Sequence, residues 1–475
     1  MIKYNALGLA LLLLLCALSA CKAPVQETQG NLMAKVWLTM PDQSVLFASQ
    51  DQPPSFQDNE TETLVITVDP TVTYQSMEGF GYTLTGGSAT LIHQLEATTR
   101  DSLLRELFAA DGKSIGLSYI RLSIGASDLS DHVFSYDDLP EGQTDAALDH
   151  FSLDPERADL IPVLQEILKI NPTLKILGSP WSAPVWMKDN RDTRGGSLLK
   201  AYYSTYAQYF VKYIQGMQAE GIRIDAVTIQ NEPLHPGNNP SMYMEAADQA
   251  EFIRDHLGPA FLAAGLETKI ILYDHNADRP DYPLSILADA AAAKFVDGSA
   301  FHLYGGDIKT LSDVHEAYPD KHLYFTEQWV GYPSNFAGDF GWHIGTLIIG
   351  APRNWCRTVL EWNLAADANQ DPHTDRGGCD RCLGALTIDG NKVTRNVAYY
   401  VIAHASKFVR PGAIRIASNE PGPLKNVAYK TPDNQLVLIV QNDGTEAIDF
   451  TISSTGKTMQ THLSGGAVGT YIWGG

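Results

Sequence analysis

Eight short β-branched or apolar runs between residues 79 and 365 limit what this chain can fold into. They are Gly79–Gly86, Leu117–Gly125, Lys175–Pro184 and Ala226–Pro233, then Lys269–Asn276, Gly298–Gly305, His322–Trp329 and Asn354–Ala365. Amphipathic stretches of helical length separate most neighbours, among them Asp154–Ile170, Leu199–Met217 and Ser241–Leu262. In the first of these, Leu160, Val163, Leu164, Ile167 and Leu168 share one face. Regular strand–helix alternation predicts an α/β fold, either a (β/α)8 barrel or a doubly wound open sheet. The barrel is favoured because Asn231, Glu232, His302, Glu327 and Trp362 all fall at C-terminal strand ends, the rim on which barrels build their sites.

Outside this region the period changes. Residues Lys35–Thr73 and Ala413–Trp473 alternate in strand fashion, as in Gln435-Leu-Val-Leu-Ile-Val-Gln441, with turn signals at Asn442-Asp-Gly444 and Ser464-Gly-Gly466. Together they predict an all-β sandwich domain assembled from both chain ends. The expected organisation is a signal peptide over 1–20, a tether over 21–34 and N-terminal strands over 35–75. A catalytic barrel over 76–405 and a C-terminal β-sandwich over 406–475 complete it.

Residues Ala6–Ala20 are apolar apart from Ser19, which suits the core of an export signal and is short for a membrane span. The run ends in Leu18-Ser-Ala-Cys21, which resembles a bacterial lipobox with Cys21 as the lipidated residue. The expectation is export and a lipid anchor in the cell envelope, facing the periplasm or the outside. A net charge of −21 argues against nucleic acid as a partner and suits a neutral substrate.

The chemistry rests on two carboxylates. Ile229-Gln-Asn-Glu-Pro233 puts Glu232 at the end of the fourth run, where the proline ends the ladder. Tyr324-Phe-Thr-Glu-Gln-Trp329 puts Glu327 at the end of the seventh. In a ring of eight these strands lie roughly opposite, so the carboxylates can face each other across a sugar. Hydrolysis of a glycoside with retention needs one carboxylate as nucleophile and one carboxylic acid as proton donor, about 5–5.5 Å apart. Proximity and burial are expected to push the two pKa values apart.

From about Glu78 to the C-terminus the chain resembles glycoside hydrolase family 30, the family of glucosylceramidases and microbial β-1,6-glucanases. The motifs that carry the resemblance are Gly79-Phe-Gly81, Arg121-Leu-Ser-Ile-Gly-Ala-Ser-Asp128, Ser179-Pro-Trp-Ser-Ala-Pro-Val-Trp186, Asn231-Glu-Pro233 and Phe408-Val-Arg-Pro-Gly412. The resemblance implies a retaining β-glycosidase with Glu232 as acid/base and Glu327 as nucleophile. It implies that Asn231 bonds the sugar 2-hydroxyl and that Trp181 and Trp362 wall the −1 sugar. It also implies that His302 and Tyr304 orient the nucleophile; Arg121 is read as a partner of a catalytic carboxylate or as a structural ion pair. The implied partner is a carbohydrate, a β-glucan or β-glucoside, with β-1,6-linked glucan favoured. A glucosylceramidase-type β-glucosidase, a β-xylosidase and a non-catalytic sugar-binding lipoprotein are the alternatives.

One departure bears on substrate. Glucosylceramidases carry an aspartate a few residues after Gly-Phe-Gly, where this chain has Gly86. Its loss is expected to remove a charged acceptor for distal hydroxyls and to disfavour glucosylceramide. Trp186, Trp329 and Trp342 are candidates to extend the sugar cleft. Cys379 and Cys382 read best as a short-range disulfide, since a zinc site would need Cys356 and His373 as well. No metal or cofactor is expected for the glutamate mechanism, and His235, His275 and His302 are scattered along the sequence.

Overall fold

The computed structural model describes residues 33–52, 54–56 and 64–475. The expected signal peptide, Cys21 and nearly all of the tether lie outside the described residues. Its last two residues do not behave as a tether: Met33 bridges Ser55 and Ala34 is buried.

Eight parallel strands close into a barrel. In chain order they are Gly79–Thr83, Tyr119–Ser123, Lys175–Ser179, Ala226–Thr228, Lys269–Asn276, Val296–His302, His322–Glu327 and Cys356–Asn363. The strand period sorts the side chains. In the fifth strand Ile271 points into the barrel, packing with Leu177, Ala300 and Leu360, while Ile270 and Leu272 face the surrounding helices. Helix Leu160–Ile170 buries Leu160, Val163, Leu164 and Ile167 against the same outer layer. Truncating such a side chain, as in Ile271→Ala, costs about 2–5 kcal/mol through lost burial and the cavity left behind.

Most strands stop before the ends expected from their apolar runs. The fourth ladder finishes at Thr228, four residues short of Glu232, because the following main chain bonds elsewhere: Asn231 N–H donates to Pro180 O and Glu232 N–H to Asp274 O. Gly86 is not in a strand; it opens helix Gly86–Gln94, capped by the Thr85 hydroxyl. Segment Ser241–Leu262 is helical only from Ala246 and widens into a π-turn over Ile253–Leu257.

The second domain is one nine-stranded sheet. Strand Leu64–Ser76 pairs in parallel with Ile448–Ser454 through its first half and antiparallel with Ile414–Ser418 through its second. Strand Lys35–Thr39 pairs with the last strand, Val468–Gly474. Side chains from both flanks of the order, including Val36, Ile66, Val440, Phe450 and Trp473, pack into one core, so the sheet folds over itself as a sandwich. His404, on the helix Val397–Ser406, ties the domains together through Thr39 Oγ1 and Thr470 Oγ1, both at 2.8 Å.

Candidate active site

The C-terminal mouth of the barrel opens into a cavity of about 410 Å³. Asp128, Glu232, Tyr304, Glu327, Trp329 and Trp362 are among its walls. Glu327 is the last residue of the seventh strand and needs no special backbone to reach it. Glu232 does. Its φ of 47° lies in the left-handed region, which costs a non-glycine residue of order 1–3 kcal/mol. Two hydrogen bonds hold this turn, Glu232 N–H to Asp274 O at 3.0 Å and His235 N–H to Glu232 O at 2.8 Å. The two carboxylates then approach: one oxygen of each, with a ring nitrogen of His302, lies within 4.8 Å of the others. That spacing belongs to double displacement and is too short for the roughly 6.5–9.5 Å gap that an inverting site keeps for water.

Their partners differ. Glu327 accepts from Arg121 Nη1 at 2.5 Å and from the Tyr304 hydroxyl at 2.9 Å. Glu232 faces His302 Nδ1 at 3.2 Å, with His275 Nε2 3.9 Å away. His302 therefore bonds Glu232 rather than orienting Glu327, from which it stands 3.8 Å. The reason is its other nitrogen, Nε2, held 3.1 Å from Asp274 Oδ1, which turns Nδ1 toward Glu232. The three histidines that look scattered in sequence are not scattered in space: His235 and His275 line the cavity and His302 lies under it.

Asp274 is the centre of this arrangement, and nothing in the sequence singles it out. It sits at a register shift of the fifth strand, with φ of 69°, so that its side chain turns inward. Fully buried, it is bonded by Arg121 Nη2 (2.8 Å), Ser179 Oγ (2.9 Å), Thr228 Oγ1 (2.7 Å), His302 Nε2 and Thr326 Oγ1 (2.7 Å). Burial alone would raise its pKa; the Arg121 charge and these hydrogen bonds instead hold it far below the usual carboxylate range. Arg121, equally buried, also donates to Asn231 Oδ1 at 2.6 Å, which fixes the amide beside Glu232. It thus pairs with Asp274 inside the barrel and with Glu327 at its mouth.

Burial disfavours the His302 cation, but the charge of Glu327 and the hydrogen bonds to Asp274 and Glu232 prevail and lift it to about 9. Burial likewise pushes Glu232 up, yet the bonded, charged His302 brings it below its ordinary value. Glu327 is raised, by burial first and by Glu232 and Asp274, with His302 and Arg121 opposing. In the free site the proton of the His302–Glu232 pair thus resides on the imidazole. His275 is pushed down to about 4 by burial and is neutral.

Trp181 and Trp362 stack 5.3 Å apart at 27°, and the Arg121 guanidinium lies 4.8 Å from the Trp181 ring. Trp362 and Trp329 face the cavity. Trp186 does not extend it: the ring is buried, its Nε1–H bonding Asp137 O at 2.9 Å. Trp342 is exposed on helix Phe336–His343 and is not among the cavity's lining residues.

The loop after the second strand runs beside Gly86. A Cβ at Gly86 would stand 3.0 Å from Ser130 Oγ, and the same loop carries Asp128 into the cavity. Burial first, then the charges of Glu327 and Glu232, raise Asp128 to about 8. Protonated near neutral pH, Asp128 brings a hydrogen-bonding carboxyl but no charge to this side of the cavity. Beside Asp128, Cys379 and Cys382 form a disulfide that lines the cavity and packs with Trp181 and Trp362. The loop that carries it is tied to its neighbours by Thr374 N–H to Asp128 O and Asn239 Nδ2 to Asp375 O, both 2.9 Å or closer. Cys356 is buried at the start of the eighth strand, at the far end of the barrel from this pair.

Comparison with known proteins agrees with this geometry. The family model described as "Glycosyl hydrolase family 30 TIM-barrel domain" matches residues 77–409, and "Glycosyl hydrolase family 30 beta sandwich domain" matches 412–471. The chain is 36% identical to an endo-1,6-β-D-glucanase of Neurospora crassa, over 83% of this chain and 85% of that one. It is 30% identical to the lysosomal acid glucosylceramidase of Mus musculus, over 88% and 85%. Among solved structures, the endo-β1,6-glucanase BT3312 superposes with a TM-score of 0.87 at 34% identity, covering 94% of this chain and all of that one.

Proposed function

The chain belongs to glycosyl hydrolase family 30, and from that premise we propose that it hydrolyses β-1,6-linked glucan by endo attack, with Glu327 as nucleophile and Glu232 as acid/base. It is a retaining glycosidase with a carbohydrate substrate. The substrate assignment draws on relatives named as endo-1,6-β-D-glucanases at 35–37% identity, against 28–32% for those named as glucosylceramidases.

The observation that carries the residue roles is the pair of carboxylates within 4.8 Å, each with its own partners. Glu327, set by Arg121 and Tyr304, attacks the anomeric carbon as the bond to the leaving oxygen breaks. The leaving oxygen takes its proton from Glu232, which shares it with His302 across the 3.2 Å contact. In the second step Glu232 removes a proton from water, which attacks the glycosyl-enzyme and releases Glu327. Asn231, its Oδ1 occupied by Arg121, keeps its amide N–H groups for the sugar 2-hydroxyl.

Product sizing on β-1,6-glucan, laminarin, aryl β-xyloside and glucosylceramide tests the substrate. Rapid release of mixed oligosaccharides from β-1,6-glucan is expected. A kcat/KM for glucosylceramide above that for a β-1,6-glucan oligosaccharide, with both dispersed, overturns the assignment. For the compartment, the Leu18-Ser-Ala-Cys21 motif supports a lipid-anchored envelope enzyme. Labelled fatty acid incorporated into the wild type and absent from Cys21→Ser is the expected result.

A further inference from the structure

The long excursion after the second strand brings together Asp137, Asp145 and His150, none of which lines the cavity described above. One potential ligand atom from each lies within 4.8 Å of the others. Two observations set this group apart from an ordinary surface cluster. Asp137 is 1% exposed, and neither of its carboxylate oxygens meets a hydrogen-bond donor. Trp186 Nε1–H donates to the Asp137 main-chain oxygen at 2.9 Å. A carboxylate taken from water without a donor costs several kcal/mol, so such groups persist when a cation compensates them. Asp145, by contrast, is already aimed: His150 N–H donates to its Oδ2 at 2.7 Å, and His150 Nδ1 stands 3.0 Å from the same oxygen.

We propose that Asp137, Asp145 and His150 form a structural site for a divalent cation of the zinc class. The donor set selects the ion. Calcium and magnesium take oxygen ligands in sixes or more, whereas one imidazole with two carboxylates suits Zn²⁺, with water in the remaining position. The His150 side chain is 70% exposed, which gives the ion and that water access. The bound ion pins residues 137–150 into a closed loop. Through Trp186 it also fastens that loop to the segment following the third barrel strand.

The test uses untagged full-length protein, stripped with EDTA, dialysed, and titrated with ZnCl₂ alone. One zinc per chain by elemental analysis and a rise in Tm of several degrees are expected. His150→Ala, at an exposed position, and Asp137→Asn should both abolish the bound zinc and the shift. Their kcat on an aryl β-glucoside at low temperature should stay within about twofold of wild type. Glu232→Gln should retain the zinc, which separates this site from the Glu232–His302–Glu327 trio. No zinc retained by the wild type, zinc retained by His150→Ala, or zinc lost in Glu232→Gln would each overturn the proposal.

Discussion

Asp274 Oδ2 and Arg121 Nη2 form a fully buried ion pair at 2.8 Å directly beneath the two glutamates. The pair is a shared foundation: Arg121 reaches Glu327 and Asn231, and Asp274 holds the imidazole that reaches Glu232. Asp274→Asn keeps the shape and removes the charge. It should lower kcat by about 100-fold with KM little changed, since displacement of catalytic groups by a fraction of an ångström costs that much. Steady-state kinetics on an aryl β-glucoside checks this; a KM effect alone would place Asp274 in sugar binding.

Glu232→Ala should slow substrates with poor leaving groups by about 10²–10⁴-fold while sparing the first step on activated aryl glycosides, which need no proton. Azide should then raise turnover of the activated substrate and yield the β-glycosyl azide. An equal loss on both substrate classes would count against the acid role.

The proton shared by His302 and Glu232 predicts the alkaline limb. Glycosylation needs that proton, so kcat/KM should fall as pH rises through the His302 value of about 9. In His302→Gln the proton is held by the carboxyl alone, and the limb should move to lower pH. A limb unchanged in the variant would show that the imidazole does not take part.

His404 predicts the acid stability of the whole molecule. Burial pushes it down to about 3, so the folded protein leaves it neutral while the unfolded chain protonates it below about 6.5. Between those values the unfolded state binds more protons and stability falls as pH falls, by about 2 kcal/mol at pH 5 from this group alone. The slope of Tm between pH 7 and 5 should be shallower in His404→Gln, whatever its absolute Tm. An equal slope would assign the acid sensitivity elsewhere.

Much of this fold is legible in sequence because a barrel strand buried on both faces is a plain apolar run. Lys269–Asn276 has the expected bounds for that reason. The site is legible only in part. Glu232 and Glu327 follow from their positions after two such runs, but the left-handed turn at Glu232 and the bulge at Asp274 have no sequence signature, since neither falls on glycine. Asp128 stands in a motif quoted for the family resemblance, yet its place in the cavity depends on which loop lies beside Gly86. Trp186 shows the converse. An aromatic after a strand end reads the same whether it faces sugar or core, and here the main-chain oxygen of Asp137 draws it inward.

In the proposed mechanism Glu327 forms the covalent bond to sugar. A 2-deoxy-2-fluoro-β-glucosyl fluoride traps that bond, because its C2 fluorine slows both steps while the fluoride leaving group restores the first; incubation is followed by digestion and mass spectrometry. One fluoroglucosyl group is expected on the tryptic peptide 322–353, fragmenting to Glu327. A label on peptide 224–254, fragmenting to Glu232, would contradict it.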